Sequence, residues 1–320
     1  MRRLIHLAVG LLLLCAPAKA DEPVLRIAAL KFGTVNWLLD TIRTHGLDTA
    51  QDYRLDVLRL AGTPATKIAF QSGDADMLVT DWVWALRQRE SGPDLRFAPY
   101  SSSLGALMGP AGMSDLCALR GRNVGVVGGK LDKSWLVFQA LARLECGFEL
   151  TEETEALFGA PPLMARQLEQ GSVDAVSTYW HWAAKLEAGG ARRILDVSDA
   201  LERLGIAPPP AMIGFVWDAG RMDAGQAAAF LRSVAAARER LRHSDAEWER
   251  LRPLMKPGSD AEFTALRDRF RLGIPGDWTP VQSAAARKLH ALLIENAGTS
   301  FASQAGPFDE ALFDVPTDDD

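Results

Sequence analysis

A glycine pair followed by lysine, Gly128-Gly129-Lys130, is a first feature of this sequence that could do chemistry. It precedes a helical pattern that Asp132 or Ser134 could cap, and the free N–H groups at a helix start favour an anion. No glycine stands five residues before Gly129, and Leu131 follows Lys130, so this is not a phosphate-binding Walker loop. The segment indicates a site for an anion or another polar group, with a plain glycine turn as the alternative.

Tryptophan is concentrated where predicted strands give way to helices. The sequence has nine tryptophans. Six of them fall in or beside such turns: Trp37, Trp82, Trp84, Trp135, Trp180 and Trp182. An indole offers a flat apolar face and one N–H donor, which suits a planar or cationic small molecule. Core packing is the alternative for each of them, and helical geometry turns the two members of a closely spaced pair away from each other.

Two polar residues accompany these tryptophans. Asp81, at a strand end beside Trp82, could pair with a ligand amine or cap the helix that begins there. His181 could donate a hydrogen bond to a ligand or lie partly exposed on a helix. The sequence contains no Gly-x-Ser-x-Gly elbow, no His-Glu-x-x-His motif and no dinucleotide fingerprint, and its histidines and cysteines lack metal-ligand spacing. The residues themselves therefore give no support for catalysis, a cofactor or a metal, and an enzyme stays open as an alternative at this point.

The elements that must position these residues alternate between strand and helix over the first two thirds of the chain. The predicted strands are Val24–Leu30, Asp56–Leu60, Asp76–Val79, Asn123–Val127, Glu155–Phe158, Val173–Thr178 and Met212–Trp217. The predicted helices between them are Val35–Thr44, Pro64–Gln71, Trp82–Glu90, Lys133–Glu145, Leu163–Glu169 and Trp180–Glu187. This alternation predicts an α/β fold with mostly parallel sheets covered by helices. In such sheets ligands bind where strands end and helices begin.

After about residue 222 the pattern becomes helical only. The candidate helices are Asp223–Arg242, Asp245–Leu254, Asp260–Phe270 and Thr279–Asn296, and the last residues read as a solvated acidic tail. Two extended segments, Tyr100–Met108 and Pro208–Trp217, could carry the chain between two lobes. We predict that one lobe holds residues 105–208 and that the other combines 21–104 with 209–320, an arrangement that can hinge around a ligand.

Residues 1–20 have the layout of a secretory signal peptide. Arg2-Arg3 is followed by the apolar run Leu4–Cys15 and by the small residues of Ala18-Lys19-Ala20. The run is too short to span a membrane, so we predict cleavage after Ala20 and a periplasmic protein. A lipid anchor on Cys15 is the alternative, but Leu14 stands where such signals need a small residue.

Cleavage would change both the charge and the cysteine count. Loss of three basic residues lowers the net charge from −6 to −9, and such an acidic surface repels phosphate backbones, so no nucleic-acid partner is expected. Cys117 and Cys146 would remain. An oxidising compartment favours a disulfide between them, because a strand start and the end of its crossover helix lie at one sheet edge. Two buried free thiols are the alternative.

Several longer segments carry a resemblance to a known family. They read LKFGTVNWLLD, AGTPATKIAFQSGDADMLVTDWVWALRQRE, SSSLGALM, LRGRNVGVVGGKLDKSWL, FGAPPLMARQLEQGSVDAVSTYWHWAA and SDAEWERLRPLM. From Leu25 to about Arg271 the chain resembles the periplasmic substrate-binding proteins of ABC importers, in the group of nitrate, alkanesulfonate, taurine and thiamine-precursor binders. The resemblance implies the type II periplasmic-binding-protein fold, two lobes that are each a mixed, mostly parallel sheet flanked by helices, with a helical C-terminal segment. It also implies a monomer that captures a small-molecule solute and delivers it to a membrane permease.

The same resemblance implies which residues contact the ligand. From the first lobe they are Phe32, Thr34, Asn36, Gly62, Thr63, Asp81 and Trp82. From the second lobe they are Gly129, Lys130, Asp132, Trp135, Tyr179, Trp180 and His181. Sulfonate and nitrate binders favour small polar residues, whereas these loops are rich in tryptophan. We therefore expect a planar organic solute, aromatic or heterocyclic, that can carry an acidic group.

Two other classes of function are hypotheses at this point. One is an exported enzyme that makes a pyrimidine-type product, although the histidine- and cysteine-rich segments of such relatives are missing here. The other is a periplasmic accessory protein that binds a partner protein or a metal complex through the acidic stretch 309–320.

Overall fold

The structure is a computed structural model that describes residues 22–315, apart from the side chains of 298–304. The predicted signal peptide and the acidic end 316–320 lie outside the described residues.

Ten strands are present in the described chain. In chain order they are β1 (Val24–Leu30), β2 (Arg54–Leu60), β3 (Met77–Asp81), β4 (Leu95–Ser101), β5 (Ala106–Gly109), β6 (Asn123–Val127), β7 (Glu155–Gly159), β8 (Ala175–Thr178), β9 (Arg192–Asp196) and β10 (Ile213–Asp218). The first sheet has the order β2-β1-β3-β10-β4, and the second sheet has the order β7-β6-β8-β5-β9. In each sheet four strands point in the same direction, and the fifth strand, β10 or β5, is antiparallel to both of its neighbours. The predicted α/β fold with two mixed, mostly parallel sheets is confirmed.

Helices cover both sheets. They are α1 (Val35–Thr44), α2 (Thr63–Ser72), α3 (Trp82–Arg89), α4 (Lys133–Cys146), α5 (Leu150–Glu153), α6 (Pro161–Glu169), α7 (Trp180–Ala188), α8 (Val197–Arg203), α9 (Ala224–His243), α10 (Asp245–Met255), α11 (Asp260–Leu272) and α12 (Pro280–Ala305). Among the described residues, no helix is both long enough and apolar enough to cross a bilayer. The α12 helix continues well beyond the predicted end at Asn296, although the weak helix formers Gly298, Thr299 and Ser300 follow that residue.

The seven predicted strands are all present, with ends that differ by at most two residues. Three strands lie outside the prediction: β4 and β9, which are at sheet edges, and the inner strand β5. Pro99 within β4 is tolerated because an edge strand has one row of N–H groups that needs no partner in the sheet. Arg192 and Arg193 give β9 the charged character of an edge strand. Neither sequence shows the apolar alternation that marks a strand.

The C-terminal helices contact helices of both sheets. The α11 helix packs on α7, which belongs to the second sheet, and α12 packs on α4 and α3. Ion pairs join Glu187 to Arg269 at 3.0 Å and Lys185 to Glu262 at 2.7 Å across the α7–α11 interface. The ring of Trp180 lies 6.2 Å from that of Phe270 in the same interface. The segment after β10 therefore connects the two halves of the molecule as well as covering the first sheet.

A disulfide bond joins Cys117 to Cys146, whose Cα atoms are 5.3 Å apart. Cys117 lies in the short 3-10 turn Leu116–Leu119, and Cys146 is the last residue of α4. Of the two alternatives that the sequence left open, the structure contains the bonded pair. The bond fixes the end of α4 that is remote from Lys133.

A buried carboxylate connects α10 to α1. Glu247 is 4% exposed and accepts hydrogen bonds from Thr41 at 2.7 Å and from the guanidinium of Arg250 at 2.6 Å. The His45 ring nitrogen Nε2 lies 2.8 Å from its other oxygen. Burial opposes ionisation, yet these hydrogen bonds lower the pKa of Glu247 from 4.5 to about 2.

This lowered pKa predicts an acid-sensitive contribution to stability. Because the carboxylate ionises more readily in the folded state, its stabilisation is complete above pH 5 and is lost as the pH falls through about 2. We expect the wild type to lose about 3 kcal/mol of unfolding free energy from this one group between pH 5 and pH 2. The Glu247→Gln variant should lack this component. Urea unfolding at a series of pH values measures the difference, and identical pH dependence in the two proteins would contradict the assignment.

Candidate ligand-binding site

A cavity of about 360 Å³ lies between the two sheets. Its walls come from the segments that follow β1, β3 and β4 on one side, and from the starts of α4 and α7 on the other. The cavity therefore lies where strands end and helices begin, as expected for an α/β fold. Half of the residues predicted to contact a ligand line it: Thr34, Thr63, Asp81, Asp132, Tyr179, Trp180 and His181.

Asp81 and Lys133 meet across this cavity. Asp81 is the last residue of β3, and its Oδ1 caps α3 by accepting the N–H of Trp84 at 3.0 Å. Its Oδ2 lies 3.4 Å from Nζ of Lys133, the first residue of α4. Burial opposes ionisation of Asp81, but Lys133, the Trp84 N–H and Lys67 together lower the pKa of this carboxyl below its ordinary value. The ion pair thus connects the first sheet to a helix of the second.

Asp132 is the second carboxylate of the cavity. Its Oδ1 caps α4 by accepting the N–H groups of Ser134 at 3.0 Å and of Trp135 at 3.2 Å. Its Oδ2 lies beside Gly128, where a Cβ atom would come within 2.9 Å of that oxygen and within 3.2 Å of the Tyr179 hydroxyl. Burial raises the pKa of Asp132 despite these donors and the charge of Lys133. Glycine at 128, with φ +99°, thus leaves room for the carboxylate and the phenol to approach each other.

Three aromatic residues at the start of α7 form another wall. The rings of Tyr179 and His181 are stacked with their centroids 6.2 Å apart. Burial, and then the charge of Asp132, raises the pKa of Tyr179 to about 12. Burial, and then the charge of Lys185, lowers the pKa of His181 to about 4, so its ring is neutral near pH 7. Trp180 lines the cavity and also contacts Trp37 edge-on at 6.2 Å.

A hydrogen-bonded group lies behind the wall formed by Thr34. The buried hydroxyl of Tyr100 donates to Oγ1 of Thr34 at 3.2 Å, and burial raises the pKa of Tyr100. The guanidinium of Arg238 donates to the carbonyl of Pro99 next to it, and burial lowers the pKa of Arg238 to about 10. These contacts fix the orientation of Thr34 at the cavity surface.

Five of the predicted contact residues lie outside the cavity lining for reasons of loop geometry. Phe32 is 81% exposed, and Gly62, Gly129 and Lys130 stay at the surface side of their loops. Asn36 is 2% exposed, because its amide donates to the carbonyls of Leu30 at 2.8 Å and Gly33 at 2.7 Å. Asn36 therefore shapes the loop rather than facing the cavity.

Trp82 and Trp135 are corrected from contact residues to core residues. Trp82 is fully buried, donates Nε1–H to the carbonyl of Ala211 at 3.1 Å and meets Phe308 and Phe313 edge-on. Trp135 is 1% exposed and packs in the same core. Both stand in the first turn of a helix and directly follow a residue that lines the cavity, Asp81 before Trp82 and Ser134 before Trp135. In both helices the tryptophan takes the inward position.

The cavity also contains residues that the sequence did not single out as contacts. They include Lys133, Ser134, Tyr100, Ser101, Ser103, Val197, Leu201, Met212 and Leu289. Lys133 and Ser134 directly follow Asp132 at a predicted helix start, a signal that could have identified them. Val197 and Leu289 come from α8 and α12, and their approach to the cavity depends on helix packing that no local pattern reports.

The described residues do not assemble a recognisable reaction centre. Within residues 22–315, no group of three or more histidine, cysteine or acidic side chains could hold a metal ion. His181, Ser134 and Asp132 share the cavity, but no described hydrogen bond joins the His181 ring to a serine or a carboxylate. Both described cysteines are consumed by the disulfide. The arrangement can bind a small molecule through charge, hydroxyl groups and aromatic rings.

No protein-family model matches the chain, and no curated protein does either. Solved structures do match it. The ligand-binding component of an ABC-type import system from Staphylococcus aureus, with zinc bound, is 14% identical, covers 92% of this chain and 97% of its own, and has a TM-score of 0.68. The periplasmic aliphatic sulphonate binding protein SsuA from Escherichia coli is 16% identical, covers 92% of each chain and has the same TM-score of 0.68.

An enzyme shares the same architecture. The desulfurization enzyme DSZB is 18% identical, with 91% of this chain and 97% of that chain covered and a TM-score of 0.59. At identities this low, a likeness establishes the fold and leaves the activity to be argued from the site. The chain therefore has the two-lobed α/β fold found in the periplasmic ligand-binding proteins of ABC import systems.

Proposed function

We propose that this chain is the solute-binding component of an ABC import system, which captures a small organic solute between its lobes and delivers it to a membrane permease. The observation that carries the proposal is a cavity walled by both sheets, with the Asp81–Lys133 ion pair reaching across it. A ligand there would contact both halves of the protein and so stabilise their closed arrangement. The His181 ring, which is neutral near pH 7 and stacked on Tyr179, and the bonded cysteines favour binding over catalysis.

The proposed lobes are residues 21–104 with 209–320, and residues 105–208. The strand distribution supports this division, because β1–β4 and β10 form the first sheet and β5–β9 form the second. The chain passes between the sheets at 102–105 and again at 204–212, which are the proposed hinge segments. A periplasmic location and action as a monomer belong to the same proposal.

The proposed solute is planar, aromatic or heterocyclic. Trp180, Tyr179 and His181 supply ring surfaces on one wall, and leucine, valine and methionine side chains supply much of the rest. The anion expected at Gly129 and Lys130 has less support, since neither residue lines the cavity.

Native mass spectrometry of protein purified from its own periplasm tests the proposal. We expect a small molecule that leaves the protein on mild unfolding and that raises the melting temperature when it is added back. A protein that carries no small molecule, gains no thermal stability from a broad panel of organic solutes and turns over a substrate would overturn the proposal in favour of an enzyme.

The cross-cavity ion pair gives a quantitative prediction. We expect Asp81→Asn and Lys133→Met each to weaken binding of the co-purified solute about fivefold to tenfold, because either change removes an attraction between the closed lobes. A double-mutant cycle measured by isothermal titration calorimetry should show a coupling energy of about 1 kcal/mol. Asparagine at 81 can still cap α3, so the local fold is retained.

The control for this cycle is an ion pair within one sheet. Arg122 and Asp174 are 3.5 Å apart on the second sheet, remote from the cavity lining. Arg122→Gln should leave the affinity unchanged. Additive effects of the Asp81 and Lys133 substitutions would show that the pair does not act as a unit in binding.

A further inference from the structure

The charged side chains that line the cavity do not balance. They are Asp81, Asp132 and Lys133. Lys133 lies 3.4 Å from Asp81 and neutralises it. Within residues 22–315, no lysine or arginine forms an ion pair with Asp132, so the cavity holds one carboxylate without a cationic partner in contact. A partly buried carboxylate in that state favours a cation that can approach it.

One oxygen of Asp132 is already used by the protein. Its Oδ1 accepts two N–H groups of α4, whereas Oδ2 is placed towards Gly128 and Tyr179. The helix cap therefore occupies Oδ1, and the Ser134 side chain is a further donor to the carboxylate, so the acceptor capacity that remains for a ligand is on the side of Oδ2 that faces Gly128 and Tyr179. The raised pKa of Asp132 fits the same picture, because the N–H donors and Lys133 do not compensate for its burial.

The surroundings of Oδ2 suit a positive charge. Tyr179 contributes a phenol oxygen and the face of an aromatic ring, and His181 stacks on that ring in its neutral form. Trp180 adds an indole 5.7 Å from the His181 ring. Aromatic faces attract cations, and the effect grows when water is excluded. Lys185, the basic residue that acts on His181, is directed towards Glu262 at 2.7 Å and over the ring of Trp182 at 5.3 Å.

We propose that the solute carries a cationic nitrogen, a protonated amine or an amidinium group, and that this group binds Oδ2 of Asp132 beside Tyr179 and His181. The inference rests on the proposed function and specifies the chemical class of its solute. It replaces the acidic group expected from Gly129-Lys130 with a basic one. Lys133, although it follows Asp132 in sequence, is paired with Asp81, so the solute cation is the partner that Asp132 lacks.

The test compares the wild type with Asp132→Asn and with a matched control, Asp115→Asn. Asparagine still caps a helix, so α4 should begin where it does now. Asp115 likewise caps a short helix, through the N–H of Ala118 at 3.1 Å, but lies outside the cavity lining. The readouts are the composition of the co-purified molecule by mass spectrometry and the dissociation constants of benzamidine, benzylamine, benzyl alcohol and benzoate by calorimetry.

We expect a co-purified molecule with a basic nitrogen, present in the wild type and in Asp115→Asn and lost from Asp132→Asn. We also expect the two cationic probes to bind the wild type more tightly than the neutral and anionic ones do. Asp132→Asn should lower the affinity for the cationic probes at least tenfold. A co-purified molecule without a basic nitrogen, or an Asp132→Asn variant that binds the cationic probes as the wild type does, overturns the inference and leaves the proposed function standing. A wild-type protein that is empty and binds none of the four probes counts against both.

Discussion

Replacing Trp82 by alanine is expected to lower the free energy of unfolding by about 4 kcal/mol. The side chain is fully buried, and its ring contacts His290, Phe308 and Phe313, which come from α12 and from the segment after it. Alanine would leave a cavity at the junction of α3, α12 and the C-terminal segment. The carbonyl of Ala211 would also lose the donor that lies 3.1 Å from it. Urea unfolding followed by circular dichroism measures the loss.

Trp84 provides the matched control, because it is the same residue type two positions further along α3. It is half-buried, with Lys67 over its ring at 5.1 Å and Phe70 edge-on at 6.3 Å. Trp84→Ala should lower the free energy of unfolding by about 1 kcal/mol, since much of that ring already contacts solvent. Equal losses in the two variants would contradict the different environments of these tryptophans.

A conservative change separates packing from ligand contact at Trp82. Phenylalanine fills most of the indole volume, so Trp82→Phe should retain solute affinity if the residue belongs to the core. A strong loss of affinity in a stably folded Trp82→Phe protein would restore the interpretation that the sequence first suggested, in which Trp82 contacts the ligand.

Removing the disulfide is expected to destabilise the protein by about 3.5 kcal/mol. Cys117 and Cys146 are separated by 29 positions, and the bond restricts the unfolded chain by closing that loop. The double variant Cys117→Ser/Cys146→Ser should therefore unfold at a markedly lower urea concentration than the wild type. The native contacts of α4 with α12 and α8 remain, so the variant should still fold.

Reduction of the wild type supplies an independent comparison for the disulfide. A thiol reductant should lower the stability of the wild type to that of the double variant and leave the double variant unchanged. If the reductant does not change the stability of the wild type, and this stability equals that of the double variant, the result would instead support two free thiols, the alternative that the sequence left open.

The sequence alone was sufficient for most of the regular elements. Hydrophobic periodicity is a local property, so the runs around β1 and β6 could be located from their own residues. The edge strands β4 and β9 could not, because their pairing partners β10 and β5 stabilise them more than their own side chains do. The extent of the long α12 helix also depended on contacts with α3 and α4.

The candidate site, too, could be predicted from the sequence only in part. The rule that ligands bind after strand ends pointed to loops that border the cavity, and Thr34, Asp81, Asp132 and His181 line it. Within each loop, the side chain that faces inward was not predictable from spacing. Trp82 and Asp81 are neighbours in sequence. The Trp82 indole nevertheless packs against Phe308 and Phe313 in the core, whereas the Asp81 carboxylate faces Lys133.

The sequence by itself determined the α/β class, the positions of most strands and helices, and the loops in which polar and aromatic residues could meet a ligand. Only the tertiary structure decided which of those residues share one cavity, that Lys133 neutralises Asp81, and that no lysine or arginine among the described residues forms an ion pair with Asp132. The physical reason is the range of the interactions involved. Periodicity and helix capping act within a few residues, whereas burial and charge pairing depend on segments that lie far apart in the chain and meet only after folding.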